Sequence, residues 1–228
     1  MKYNDVCTGR FIERPNRFIA FVEIDGVIER CHVKNTGRCK ELFVKNAKVV
    51  LQHFRDTKRS TKFDIIAVYK GDILINIDSQ APNKVFGESI NSIFSDIDVV
   101  HPEYAYGDSR IDFYAESGKK RLLIEVKGVT LENKGDSLFP DAPTERGLKH
   151  IKELEKSLLD GYEPYLFFVI QMSGMRSFSP NYKMHEEFGM EIEKAHSMGV
   201  GVLAYDCIIT EDSMILNRPV EIRYRDHS

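Results

Sequence analysis

The sequence predicts two domains, an all-β barrel over residues 1–80 and an α/β domain over residues 81–228 with a mixed sheet flanked by helices. Three observations carry this. Short β-type runs crowd the first third of the chain, helical patterns and apolar strands alternate after Pro82, and the charge balance reverses between the two stretches. Residues 1–80 hold 15 Lys and Arg against 10 Asp and Glu, a balance of +5, whereas residues 81–228 hold 17 against 25, a balance of −8. A basic half can hold a polyanion, and an acidic half can gather carboxylates around a cation.

In the first domain, RFIAFVEI (17–24) and VIERCHV (27–33) read as strands joined by Asp25-Gly26, a pair that tolerates the positive φ of a tight hairpin turn. Strands are expected again at 48–54, 63–69 and 73–78, the last two joined across Lys70-Gly71-Asp72. Between the second and third, Asn35-Thr36-Gly37 supplies turn chemistry and Arg38 to Phe43 a single helical turn. Five short strands with a small helix suit a barrel such as the oligonucleotide-binding (OB) fold, which holds single strands with a basic groove and aromatic platforms. Arg10, Arg14, Arg17, Lys34, Arg38 and Lys40 interleave with Phe11, Phe18, Phe21 and Phe43. The loop RDTKRSTK (55–62) adds Arg55, Lys58, Arg59 and Lys62, which are expected to reach phosphates. Arg17, Arg38 and these four loop residues are the expected nucleic-acid contacts of the barrel.

In the second domain a helix is expected over 82–94, from Phe86, Ile90, Ile93 and Phe94 at helical spacing. Strands follow near 97–101, 110–117 and 121–129, then a helix at about 143–159 with Asp141 as its cap, and the apolar strand 164–171. A further helix over 180–198, started by Ser179-Pro180 and stopped by Gly199, precedes the strand 201–209. Apolar strands beside helices imply a sheet covered on both faces.

Chemistry concentrates in SRIDFYAESGKKRLLIEVKG. A hairpin turn centred between Gly118 and Lys119 places Asp112 directly opposite Glu125, with Cβ atoms about 4.5–5.5 Å apart, and like charges so placed destabilise a sheet unless a cation compensates. Lys127 shares the face of Glu125 by the period of two. For phosphodiester hydrolysis the carboxylates would hold Mg²⁺ or Mn²⁺, and the lysine would steady the nucleophile or the developing charge. Glu88, on the helix joining the domains, is the expected third acid. Arg146, Lys149 and His150 stand at i, i+3 and i+4 on the following helix and form one polar stripe towards DNA.

Several classes are excluded. The four cysteines, Cys7, Cys31, Cys39 and Cys207, lie far apart, so neither a disulfide framework nor a cysteine zinc site is expected, which suits the reducing cytoplasm. The longest apolar runs fall far short of the roughly 20 residues that span a bilayer, and the first residues lack the apolar stretch of a signal peptide. The seven histidines, His227 among them, show no tight metal spacing, and no P-loop, nucleophile-elbow or dinucleotide motif occurs.

The segments RFIAFV, CHVKNTGRCKEL, DSQAPNKV, YGDSRIDF, LIEVKGVTL and FPDAPTERGLKHIKEL resemble the sugar fermentation stimulation protein A family, over nearly the whole chain. The resemblance implies an OB-type barrel joined to a domain like the PD-(D/E)XK nucleases, DNA binding without strong sequence preference, and regulation of maltose genes. It places Asp112, Glu125 and Lys127 at the nuclease-like positions, with Glu88 as the preceding helix acid; Ile111 stands where the motif's name has proline. The expected function is therefore DNA binding with a divalent-metal-dependent phosphodiester-cleaving site, or else a non-catalytic DNA-binding regulator that acts by occupancy. Against a sugar- or protein-binding module with purely structural carboxylates stands the absence of Trp from the chain.

Overall fold

The computed structural model describes residues 1–35, 37–55 and 58–225. Thr36 of the expected turn, Asp56 and Thr57 of the basic loop, and His227 lie outside the described residues.

The N-terminal strands are β1 (Val6–Glu13), β2 (Ile19–Ile24), β3 (Val27–Val33), β4 (Lys48–His53), β5 (Phe63–Lys70) and β6 (Ile73–Asn76). Their order is β3-β2-β1-β4-β5, and parallel pairing of β3 with β5, from Cys31↔Phe63 to Val33↔Ile65, closes a five-stranded barrel. Closure removes the exposed edges that a sheet of this size would otherwise carry. The expected hairpin is present, with Asp25 and Gly26 at φ 49° and 81°.

The strand count differs from the sequence expectation. β6 hangs outside the ring on β5, and its place in the ring is taken by β1, which the sequence pattern did not show. The burial of β1 does not alternate cleanly, because a bulge between Phe11 and Glu13 breaks its register with β2. Gly9 lets the backbones close up: a Cβ there would sit 2.5 Å from Val22 Cγ1 and 2.8 Å from Glu23 O. The turn after Cys39 brings Leu42 N and Phe43 N to Cys39 O, at 3.0 and 3.1 Å, and goes no further.

The second domain runs α1 (Ala81–Ile93), β7 (Ile97–Tyr106), β8 (Ser109–Ser117), β9 (Lys120–Val129), β10 (Leu131–Asn133), β11 (Asp136–Phe139), α2 (Glu145–Leu159), β12 (Glu163–Ile170), β13 (Ser177–Pro180), α3 (Glu186–Met198), β14 (Gly201–Ile209), β15 (Met214–Pro219) and β16 (Glu221–Ile222). Six strands form a mixed sheet in the order β15-β14-β12-β9-β8-β7. Its centre, β9, β12 and β14, is parallel, and β8 and β15 pair antiparallel on either side. α1 covers one face, with the Phe86 ring 5.0 Å from Phe113 and 4.8 Å from Phe167. On the other face Leu148, Ile151 and Leu154 of α2 and Phe188 and Ile192 of α3 join Tyr114, Leu123 and Phe168 in one core.

Two helix starts need correcting. α2 is capped by Thr144, whose Oγ1 accepts from Gly147 N at 3.0 Å, and not by Asp141. Ser179 and Pro180 do not open α3. They end β13, which pairs in parallel with β11, and the helix begins only after the His185 N-cap; Gly199, at φ 113°, does stop it. A small sheet, β10-β11-β13-β16, was not foreseen.

The domains are joined by more than a linker. Val22, Leu51 and Ile77 belong to the same contiguous core cluster as Leu148 and Phe168. Polar bonds span the same junction: Gln171 Nε2 donates to Asn76 Oδ1 at 3.1 Å, Asn76 N donates to Gln171 O at 2.9 Å, and Lys70 Nζ lies 2.6 Å from Glu132 Oε2. Among the described residues, no helix is long and apolar enough to cross a membrane.

Candidate carboxylate centre and basic groove

The β8–β9 hairpin has the register that the turn position dictates. Ser117 pairs with Lys120 and the ladder runs to Phe113↔Ile124, so the next opposed pair is Asp112 and Glu125. There the ladder gives way to side-chain chemistry: Asp112 Oδ2 accepts from Val126 N at 2.8 Å, taking up a backbone donor beyond the paired stretch. Its other oxygen, Oδ1, accepts from Asn83 Nδ2 at 2.7 Å. Burial, and after it the charge of Glu125, push the Asp112 carboxyl above its ordinary value, while the bonds from Val126 and Asn83 oppose the shift.

Glu125 is only 2% exposed. Its Oε1 accepts from both Lys127 Nζ and His150 Nδ1, and its Oε2 is buried without a hydrogen-bond partner. Burial works to raise this acid, but the His150 hydrogen bond and the Lys127 charge outweigh it and hold the carboxyl below its ordinary value. Arg146 Nε donates to His150 Nε2 at 3.4 Å, which leaves the imidazole proton on Nδ1, facing Glu125.

The expected stripe on α2 therefore divides. Arg146 and His150 join the centre, whereas Lys149 Nζ donates to Asp108 O at 2.9 Å on the β7–β8 turn. Glu88 is not brought to Asp112 either. Its Oε2 lies 2.6 Å from the Met1 ammonium, which also donates to Met214 O. The α1 residue at the centre is Asn83, five positions earlier, which the sequence reading missed. The signal was its place in the DSQAPNKV segment, directly after the first-turn Pro82.

The donor set suits a hard divalent cation. Asp112 and Glu125 offer carboxylate oxygens, one of them buried and orphaned, and Mg²⁺ is commonly held by one or two carboxylates with water and substrate phosphate completing its shell. Among the described residues no group of three or more His, Cys, Asp and Glu converges as a metal cage. For such an ion the chain would offer two acids, Asp112 and Glu125, with Lys127 beside them.

On the barrel, Arg17 and Arg38 line an open groove of about 730 Å³ together with Arg14, Lys40, Lys45, Phe11 and Phe43. Arg14 organises it, donating to the carbonyls of Arg38 at 2.8 Å, Arg17 at 2.6 Å and Asn35 at 2.8 Å while its guanidinium lies 4.8 Å from the Phe43 ring centre. Arg55, Lys58, Arg59 and Lys62 belong to the β4–β5 connection and do not line this groove. Arg55 is 85% exposed beside Asp5. Arg59 is committed inward, paired with buried Asp64 and stacked 3.8 Å from the Phe54 ring centre.

Comparison with known proteins places this geometry. Residues 12–77 match a family model described as the SfsA N-terminal OB domain, and residues 80–213 match one described as the sugar fermentation stimulation protein RE domain. The chain belongs to the sugar fermentation stimulation protein family. Family members named sugar fermentation stimulation protein homolog are 52% identical in Clostridium beijerinckii, over 97% of this chain and 99% of the relative, and 51% identical in Desulfitobacterium hafniense, over 94% of each. The solved structure of Pyrococcus furiosus SfsA, described as a complex with Ca²⁺, matches with a TM-score of 0.86 at 23% identity, covering 98% of each chain. That match establishes the two-domain layout of the sugar fermentation stimulation protein fold and, with the OB-domain match, the barrel type.

Proposed function

We propose that this protein binds DNA without strong sequence preference and that its C-terminal domain, similar to the PD-(D/E)XK nucleases, carries a divalent-metal-dependent phosphodiester-cleaving site. The observation that carries this reading is the opposition of Asp112 and Glu125 across β8–β9, with Lys127 on the same face and one Glu125 oxygen buried without a partner. Mg²⁺ or Mn²⁺, when bound, would polarise a phosphate and acidify a water. Asp112 and Glu125 would hold the ion. Lys127 lies where an ammonium can steady developing negative charge, and His150, backed by Arg146, orients Glu125. Arg17, Arg38 and the rest of the barrel groove supply the sequence-independent hold on a phosphate backbone. The Ca²⁺ in the description of the Pyrococcus furiosus relative belongs to that protein and supports a hard-cation reading of the same fold.

A second reading, a non-catalytic DNA-binding regulator of sugar metabolism genes such as those for maltose, draws on the internal pairing of Glu125 with Lys127 and His150, which partly neutralises the centre without an ion. Cleavage and binding assays on single-stranded, duplex and branched DNA with Mg²⁺ or Mn²⁺ separate the two. Loss of cutting with retained binding in Asp112→Ala and Lys127→Ala supports the nuclease; salt-sensitive binding with no cutting by any variant selects the regulator.

A further inference from the structure

We propose that Asn83 is a positioning residue of the carboxylate centre, fixing Asp112 in the orientation that takes up a divalent cation. The proposal rests on the reading of that centre as a cation site. Asn83 stands in the first turn of α1, where a short polar side chain often bonds its own helix end. Here the amide reaches across to the sheet instead, and Nδ2 donates to Asp112 Oδ1 at 2.7 Å.

Two features fix the helix end that carries it. Asp78 caps the approach, accepting from Gln80 N at 3.0 Å through Oδ1 and from Ala81 N at 3.0 Å through its carbonyl. Gly128 of β9 lets Pro82 and Gln171 close over the strand, since a Cβ at that glycine would lie 2.6 Å from Pro82 Cγ and 2.4 Å from Gln171 Oε1. One turn further along α1, Gly87 faces Phe113, with 3.4 Å from a Cβ there to the ring. The 83/87 side of the helix is therefore the side that meets β8.

With Val126 N on Oδ2 and Asn83 Nδ2 on Oδ1, both Asp112 oxygens are anchored and the plane of the carboxylate is set. Each oxygen keeps a further lone pair for a cation. The chemistry of the anchor also matters. A neutral amide donor supports the ionised carboxylate without a second positive charge to compete with the ion, and without a further acid to repel Asp112. The position at which α1 serves the centre is thus held by an amide, while the α1 acid Glu88 is engaged with the Met1 ammonium.

Calorimetric titration of the full-length protein with Ca²⁺ and with Mn²⁺ tests this. Wild type is expected to bind. Asn83→Leu, similar in size but without the donor, is expected to lose about tenfold or more in affinity, as outer-shell substitutions commonly do. Asn83→Gln keeps the donor and is expected to recover most of the loss, a rescue that a purely structural role would not produce. Thermal melting without cation shows whether Asn83→Leu folds, and Asn83→Ala is read in its place if it does not. Wild-type affinity in the Leu or Ala variant overturns the role of Asn83 and leaves the cation site standing. Equal loss in the Leu and Gln variants also overturns it. Absence of binding by wild type overturns both this proposal and the reading beneath it.

Discussion

Asp112 is an acid kept where its own charge is costly. Burial and the Glu125 charge raise it, so the native state binds its proton more tightly than the unfolded chain does. Ionising such a group removes stability: the cost is absent below the unfolded-state pKa and fully present above the folded one. With the Asn83 amide turned so that its oxygen accepts from the new NH2, Asp112→Asn is therefore expected to raise the midpoint temperature at neutral pH, by roughly 2–4 °C for each kcal/mol released in a chain of this size, with the gain vanishing in acid. Thermal melts across the carboxylate range check this, and a midpoint at neutral pH no higher than that of wild type would refute it. Glu125 has the opposite sign. Its lowered acid contributes stability above the unfolded-state pKa that is lost as pH falls through the folded one. The opposition of these two acids was legible because a two-residue turn fixes the register of a hairpin, and with it every facing pair. The exchange of Glu88 for Asn83 was not. Which side of α1 meets β8 depends on the close approaches at Gly87 and Gly128, and these involve partners distant in sequence.

At the level of elements, the long ones follow their sequence pattern and the short ones do not. β14 and the body of α2 carry enough periodic residues to declare themselves. β13 has four residues and β16 two, and each exists only through parallel pairing with a remote segment, so no local pattern marks them. Ser179-Pro180 resembles a helix start for the same reason: proline suits both a first helical turn and the end of a strand. The junction of β9 with α1 offers a direct test. Gly128→Ala places a methyl group against Pro82 and Gln171, and overpacking of this kind costs about 1–3 kcal/mol. Urea titration is expected to show an earlier midpoint with an unchanged slope, and undiminished stability would mean that the close approach is not required.

For the whole molecule, charge and packing divide the labour. Arg17 and Arg38 bring cationic side chains to a groove that Arg14 braces from behind, the arrangement to which the proposed function assigns the phosphate contacts. Under the proposed function, Arg17→Ala is expected to weaken binding uniformly across DNA sequences and to reduce the slope of log affinity against log salt by about one. Titrations at several salt concentrations measure that slope, and an unchanged value would place the phosphate contacts elsewhere. The barrel was legible as a type, but the way its ring closes was not, because β1 takes a place in it and β3 meets β5 in parallel, neither of which leaves a local signature. The apolar interior then passes without interruption from the barrel to the layer beneath α2 and α3. Heat should accordingly melt the chain in one calorimetric transition, and a fragment cut after the barrel should present a greasy wound to solvent and precipitate, although each half has a recognisable architecture of its own.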